Sequence, residues 1–184
     1  MTPAQERLLL ELARAAIAEE FGGTPVTRPV GEAWLNTPAA VFVSLHRDGE
    51  LRGCIGSLEA QQPLFEEVVE KAKAAASHDL RMAPVQAHEL PELEIELTLL
   101  HPLESISART EDDVISHLRP GLDGLLLRSQ EGGAVFIPSV WQQLPDPPAF
   151  LQALMRKAQL RRWPSDMCAF RFTAEVMSST GREA

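Results

Sequence analysis

The stretch VFVSLHRDGELRGCIG, residues 41–56, decides the fold. Its first residues are apolar and mostly β-branched, which favours a strand. The dipeptide Asp48-Gly49 is a strong signal for a tight two-residue turn. The chain then returns through Leu51-Arg52-Gly53-Cys54-Ile55-Gly56. The stretch therefore predicts a β-hairpin, with one strand over 41–45 and the other over 51–56.

The segments on either side of this hairpin predict two helices and a further strand. Thr2 is a suitable N-cap for a first helix, and Gly22-Gly23 is a suitable stop. A second helix begins at Pro63 and extends to about Ser77, because its apolar residues recur at a helical period. Apolar and polar residues alternate over 93–99, which predicts a half-buried strand.

The C-terminal half repeats this order of elements. Thr110 caps a short helix, and residues 125–137 predict another hairpin. Pro147-Pro148 begins a further helix, and alternating apolar residues predict one final strand over 170–176. Cys168 lies in that strand pattern and is expected in the core. Each half is thus hairpin, helix and strand, which is compatible with an internal ββαβ duplication.

Strands joined by tight turns, with helices between them, are typical of an α+β fold with mainly antiparallel pairing. A chain of 184 residues can bury a sizeable core without a disulfide or a metal. We therefore predict a single domain over 1–184, made of two intimately packed subdomains with flanking helices. The subdomains cover roughly 1–105 and 106–178, and a polar tail follows at 179–184.

An excess of acidic residues argues against several classes of function. The chain has 26 Asp and Glu against 17 Lys and Arg, a formal net charge of −9. Broad binding to nucleic acids or anionic membranes depends on Lys and Arg and is not expected. No apolar run approaches the ~20 residues of a membrane span, and the N-terminus has no secretory pattern. Two cysteines form no disulfide framework, so we expect a cytoplasmic protein.

The segment Leu51–Gly56 is the most unusual part of the sequence. Gly53 and Gly56 weaken a strand, so they indicate a bulge or a place where something approaches the backbone closely. Arg52 and the nearby helix start would favour the thiolate of Cys54. One interpretation is a reactive or ligand-binding thiol beside an anion pocket. The alternative is a bulged strand in which Cys54 is a small buried apolar residue.

A second polar cluster, His78-Asp79 with Arg81, follows the central helix. Asp79 could orient His78 as a general base for Cys54. The alternative is a helix C-cap in which the helix dipole favours His78. The spacing along the sequence does not decide whether the fold brings these residues to Cys54.

Other chemical patterns are weak. The five histidines and two cysteines show no ligand spacing, so no metal site is predicted. Glu94 and Glu96 share a strand face, either as a carboxylate pair or as a solvated surface. A local basic cluster suits either a partner or the C-terminal dipole of a helix. It consists of Arg156, Lys157, Arg161 and Arg162.

These residues together resemble the AMMECR-like domain family, whose prokaryotic members are called AmmeMemoRadiSam system protein A. The hallmark is Leu51-Arg52-Gly53-Cys54-Ile55-Gly56 after the strand at 40–45. The segment Ser77-His78-Asp79-Leu80-Arg81 is similar to the family's aromatic-His-Asp-Pro-Arg pattern, from which Ser77 and Leu80 depart. The resemblance covers nearly the whole chain. Its further segments are Pro84-Val85, Glu89-Leu90-Pro91, 93–96, 124–127, Phe136-Ile137-Pro138, Phe150-Leu151 and Arg156-Lys157-Ala158.

The resemblance implies an α+β protein with a cleft between two subdomains, lined by the hallmark hairpin and the His78–Arg81 stretch. It also implies action beside a Memo-like protein and a radical SAM protein, and it specifies neither a reaction nor a cofactor. The expected function is binding of a small anionic ligand or use of a cysteine thiolate. The alternatives are a non-catalytic scaffold module and a nucleic-acid-binding regulator. The catalytic candidates are Cys54, His78 and Asp79, and the binding candidates are Arg52, Gly53, Gly56 and Arg81.

Overall fold

The computed structural model describes residues 1–179; residues 180–184, most of the predicted tail at 179–184, lie outside the described part. The described part has four α-helices, which are α1 (Pro3–Glu19), α2 (Leu64–Ser77), α3 (Glu111–His117) and α4 (Pro147–Lys157). Its strands are β1 (Pro38–Arg47), β2 (Glu50–Gly56), β3 (Gln62–Pro63), β4 (Glu94–Leu100), β5 (Glu104–Ile106), β6 (Gly124–Arg128), β7 (Gly133–Phe136), β8 (Cys168–Phe172) and β9 (Ala174–Ser178). Short 3-10 helices lie at Ala33–Asn36, Ala87–Glu92 and Pro138–Gln142.

The predicted α+β class is confirmed, because these helices accompany two antiparallel sheets. The chain divides into two compact units. The first is Met1–Leu100 with the segment from Glu175 onward, and the second is His101–Ala174. The strand β9 therefore belongs mainly to the first unit, although its residues lie in the second predicted half. The cleft between the two halves stays a prediction.

The first unit is a sheet with the strand order β2-β1-β4-β9, and β3 pairs with the start of β1. The turn between β1 and β2 places Asp48 at φ 53° and Gly49 at φ 80°, the left-handed pair that a type I′ hairpin needs. Alternate residues of β1, namely Val41, Val43 and Leu45, are buried against α1 and α2. This face of the sheet therefore forms the core, and the opposite face carries the other residues of each strand.

The second unit is a four-stranded sheet with the order β5-β8-β6-β7. Helix α4 packs against it, with Phe150, Leu151 and Leu154 fully buried. Trp141 stacks on Phe150 with ring centroids 3.9 Å apart. Its indole Nε1 donates to the carbonyl oxygen of Asp123 at 2.7 Å, so a wholly buried aromatic polar group is satisfied.

Both units contain the same connectivity. In the first, β1 lies between its hairpin partner β2 and β4, the strand that follows helix α2. In the second, β6 lies between its hairpin partner β7 and β8, the strand that follows helix α4. The repeated order hairpin, helix, strand is thus present in three dimensions. A common origin by duplication stays a prediction.

Two expectations for the C-terminal region are wrong. The single strand predicted over 170–176 is two strands in different sheets, separated at Thr173. The apolar alternation continues through the break, so the pattern could not show it. Cys168 is exposed rather than in the core. It is the first residue of β8 and pairs with Arg128 at the end of β6, where the sheet ends.

In the part of the chain that the structure describes, no helix has both the length and the apolar character required to cross a membrane.

Candidate functional site

Strand β2 contains a bulge at Arg52. In the pairing with β1, Gly53 is opposite Leu45 and Leu51 is opposite His46. Two steps along β2 thus match one step along β1, and Arg52 is the extra residue. Bulges bend a strand and redirect a side chain. The arginine of the hallmark therefore leaves the regular alternation of the sheet.

The redirected side chain of Arg52 forms an ion pair with Glu89. Its Nε and Nη2 donate to Oε1 and Oε2 at 2.9 and 3.0 Å, and Nη1 donates to the carbonyl oxygen of Ala83 at 3.3 Å. Glu89 is buried, and these hydrogen bonds lower its pKa to about 2, with help from the amide of Gln86. The positive charge of Arg52 is already balanced, so an anionic ligand would have to displace a bidentate carboxylate.

The two hallmark glycines are explained by close approach of the protein's own groups. A Cβ added at Gly53 would lie 2.0 Å from the carbonyl oxygen of Ala75 in α2. A Cβ added at Gly56 would lie 2.3 Å from Cγ of Phe42, which is opposite it on β1. The sequence indicated a bulge or a close approach, and the structure contains both. Neither glycine needs a ligand to account for it.

Cys54 is held at the free edge of the sheet. Its amide donates to Oδ2 of Asp79 at 2.9 Å, and its carbonyl oxygen accepts from Nη2 of Arg81 at 3.1 Å. Both groups point away from β1, so Cys54 and its partner Ser44 form the closely spaced type of pair, without mutual backbone hydrogen bonds. Ser44 Oγ donates to Cys54 Sγ at 3.3 Å. The thiol is partly exposed.

Asp79 and Arg81 form a tight pair beside this edge. Arg81 donates through Nε to Oδ1 at 2.9 Å and through Nη2 to Oδ2 at 2.7 Å. Asp79 is buried, whereas the Arg81 side chain is 62% exposed. The Arg81 guanidinium, and next the amide of Cys54, hold the pKa of Asp79 well below its usual range. Asp79 is therefore a permanent carboxylate here, with both oxygens engaged.

Of the two roles predicted for His78, general base and helix C-cap, the structure shows the C-cap. His78 is the C-cap residue of α2 and is exposed, and its Nδ1 lies 2.7 Å from Ser77 Oγ. Both carboxylate oxygens of Asp79 are taken by Arg81 and Cys54. The structure thus brings Asp79 and Arg81 to Cys54, and it shows His78 as a helix cap. Catalysis by these residues stays a prediction.

Sequence reasoning missed Ser44, which contacts the sulfur, and did not place Glu94 and Glu96 on the face of the sheet that carries Cys54. Ser44 on the central strand β1 is opposite Cys54 on one side and Glu96 of β4 on the other. His46 and Glu94 form the next such pair, so all five lie on the face opposite the core. The available signal was the period of two in β1, which makes Ser44 and His46 polar positions in an otherwise apolar strand. Within residues 1–179, neither glutamate side chain has an ion pair or a hydrogen bond.

This face is not a metal centre of the usual kind. Among residues 1–179, no group of three or more His, Cys, Asp or Glu side chains is arranged to hold a metal ion. What the arrangement offers is one thiol with a hydroxyl donor beside it, on a rigidly held strand.

The fold and the site define an α+β protein of two antiparallel sheets, in which a bulged edge strand contains the sequence Arg52-Gly53-Cys54. A family model described as AMMECR1 matches residues 10–177, so the chain belongs to the AMMECR1 family.

Similar proteins come from archaea. A protein of Methanothermobacter thermautotrophicus is 31% identical over 181 residues, which cover 95% of this chain and 94% of the relative. A protein of Saccharolobus islandicus is 35% identical over 84% of this chain and 71% of the relative. The crystal structure of the uncharacterised protein PH0010 from Pyrococcus horikoshii matches with a TM-score of 0.82 and 29% identity. That match covers 92% of this chain and 88% of PH0010.

Proposed function

We propose that this AMMECR1-family protein acts through the thiol of Cys54, as a nucleophile toward a small electrophilic substrate. The observation that carries the proposal is the setting of this residue. Its amide donates to Asp79, its carbonyl oxygen accepts from Arg81, and its sulfur accepts a hydrogen bond from Ser44. The thiol is the one nucleophilic side chain of the hallmark, and it is partly exposed.

The geometry favours the thiol over an anion-binding pocket. Arg52 is paired with Glu89 and Arg81 with Asp79, so neither guanidinium is an open anion site. The surrounding charge is also negative. Residues 1–100 and 175–184 carry 9 basic against 18 acidic residues, whereas 101–174 carries 8 of each. The whole net charge of −9 therefore belongs to the unit that holds Cys54.

The proposed chemistry is nucleophilic substitution at carbon. The thiol of Cys54 loses its proton to solvent, and the thiolate forms a sulfur–carbon bond while the leaving group departs with the bonding electrons. The hydroxyl of Ser44 donates to the sulfur at 3.3 Å, which orients the attacking side chain. The strand that carries the thiol is held in place, so little reorganisation accompanies the step.

The partners in this proposal are a Memo-like protein and a radical SAM protein, which the family resemblance implies. The acidic first unit suits a basic protein surface, and charge of this kind accelerates encounter with an oppositely charged partner. A second candidate function is a non-catalytic interaction module. The carboxylates of Glu94 and Glu96 have no ion pair within residues 1–179, and they favour this function because they give the same face a charge that a basic partner can recognise.

Alkylation of Cys54 tests the proposal. Because Cys168 is exposed and also reacts, the assay uses the Cys168→Ser variant. Iodoacetamide modification of Cys54 is followed by mass spectrometry between pH 6 and 9, in the folded protein and in urea. We expect the folded protein to react faster, and Ser44→Ala to slow it. A folded Cys54 that reacts no faster than the unfolded one would overturn the thiol proposal and leave the interaction module.

A further inference from the structure

We infer that Asp79 and Arg81 are positioning residues for the Cys54 thiol, which they hold through the main chain of Cys54 at the free edge of β2. The inference rests on the proposed function, because positioning matters only for a thiol that reacts. It replaces the expected partnership of Asp79 with His78 by a partnership with the strand that carries the nucleophile.

We call Asp79 and Arg81 the clamp, and the order of the strands in the sheet explains why Cys54 needs it. Strand β2 is an edge strand, paired on one side only, with β1. The amide and carbonyl of Cys54 both point to the open side, so β1 does not fix them. Left unpaired, these groups would be solvated and the edge free to fray. Asp79 accepts a hydrogen bond from the amide, and Arg81 donates one to the carbonyl oxygen.

The clamp acts as one unit because a single nitrogen bridges its two halves. Nη2 of Arg81 lies 2.7 Å from Oδ2 of Asp79 and 3.1 Å from the carbonyl oxygen of Cys54. The same Oδ2 accepts the amide of Cys54 at 2.9 Å. A turn closed by the Met82 amide on the Asp79 carbonyl, at 3.0 Å, holds the two clamp residues together.

The consequence for the thiol is a fixed register with Ser44. The 3.3 Å contact between Ser44 Oγ and Cys54 Sγ exists only while Cys54 stays directly opposite Ser44. The bulge at Arg52 lies two residues before Cys54, and bulges loosen the ladder locally. The clamp therefore sets the contact that we assign to activation of the thiol.

The test is Arg81→Ala in the Cys168→Ser background, with the Cys54 alkylation rate as the readout. The matched control is Arg119→Ala in the second unit. Arg119 is 50% exposed and also donates through Nε and Nη2 to a buried carboxylate, that of Asp123, so its loss costs comparable stability. We expect Arg81→Ala to lower the alkylation rate of Cys54 about fivefold, which is the effect of losing one hydrogen bond to the thiolate. Arg119→Ala should leave the rate unchanged.

A double-mutant comparison separates positioning from a general structural role. If the clamp works through Ser44, Ser44→Ala slows the otherwise intact protein about fivefold but has little further effect in Arg81→Ala. Arg81→Lys keeps the charge but cannot span both acceptors, so we expect only partial rescue. The amide of Cys54 should also lose protection from hydrogen exchange in Arg81→Ala and not in Arg119→Ala.

The outcomes are distinguishable. The positioning role would be overturned if Arg81→Ala and Ser44→Ala slowed alkylation of Cys54 by factors that multiply in the double variant. It would also be overturned if Arg81→Ala and Arg119→Ala had equal effects on this rate, or if Arg81→Ala increased it. If Cys54 of the folded parent protein reacts no faster than in urea, the proposed function itself fails, whatever the variants do.

Discussion

Replacement of Gly53 by alanine should destabilise the protein by about 2 kcal/mol. The added Cβ would lie 2.0 Å from the carbonyl oxygen of Ala75 and 3.1 Å from its carbonyl carbon. Since these are main-chain atoms of α2, the strand or the helix must move by about 1.4 Å to restore an ordinary contact. Overpacking of this kind costs ~1–3 kcal/mol. A clash with main-chain atoms lies at the upper end of this range, and the ~0.5–1 kcal/mol by which alanine is favoured over glycine within a strand reduces the net loss to about 2 kcal/mol.

The assay is thermal and urea unfolding of the full chain. A loss of about 2 kcal/mol corresponds to roughly 4–8 °C in Tm for a chain of this size. Ala75→Gly should not rescue Gly53→Ala, because the obstacle is a carbonyl oxygen that the second change leaves in place. Gly56→Ala is the contrasting variant, since its obstacle includes the ring of Phe42. There, Phe42→Ala removes Cγ and the ring, so the double variant should lose less stability than the sum of the two single losses. An unchanged Tm for Gly53→Ala, or rescue by Ala75→Gly, would refute the packing argument.

The other predictions concern charge. Because the pKa of Glu89 is lowered from its ordinary 4.5 to about 2, its ionised form stabilises the fold above pH 4.5, and that contribution is lost as the pH falls toward 2. Urea unfolding of the parent protein and Glu89→Gln should thus differ most at neutral pH and converge in acid; a constant difference would contradict the ion pair with Arg52. At Cys54, a cationic methanethiosulfonate should react about fivefold faster than its anionic analogue, relative to their ratio at Cys168. Glu96→Gln should reduce this preference, and an anionic preference would contradict the placement of that carboxylate on the same face.

Local signals account for the parts of the fold that the sequence predicted. The Asp48-Gly49 turn, the Thr2 and Thr110 capping boxes and the helix beginning at Pro147 each depend on a few neighbouring residues. The hydrogen bonds that form them join residues within about one turn of chain, so a sequence pattern is enough to find them.

The contacts that define the site depend on residues distant in sequence. Arg52 meets Glu89 across 37 positions, and the amide of Cys54 meets Asp79 across 25. Composition and spacing suggested an anion pocket and a His–Asp pair, because each charged group was considered without its partner. The glycines indicated a bulge, but its position at Arg52 and the edge position of β2 are properties of the sheet that no local pattern encodes.

The role of Ser44 was hidden for a related reason. Its position in β1 was predicted, but its significance comes from the register that sets it opposite Cys54 and Glu96. The break at Thr173 was hidden because apolar alternation runs through two strands of different sheets. Periodicity shows which residues share a face, and it does not show which strand lies alongside.

Competition between the two cysteines of the unmodified chain tests the central claim most directly. Cys168 is the more exposed thiol, so accessibility alone favours its modification over that of the partly exposed Cys54. Limited iodoacetamide treatment at neutral pH, followed by peptide mass spectrometry, gives the ratio of the two rates in one sample. The account predicts that Cys54 reacts first despite its lower exposure. Modification of Cys168 ahead of Cys54 would contradict the assignment of Cys54 as the reactive centre.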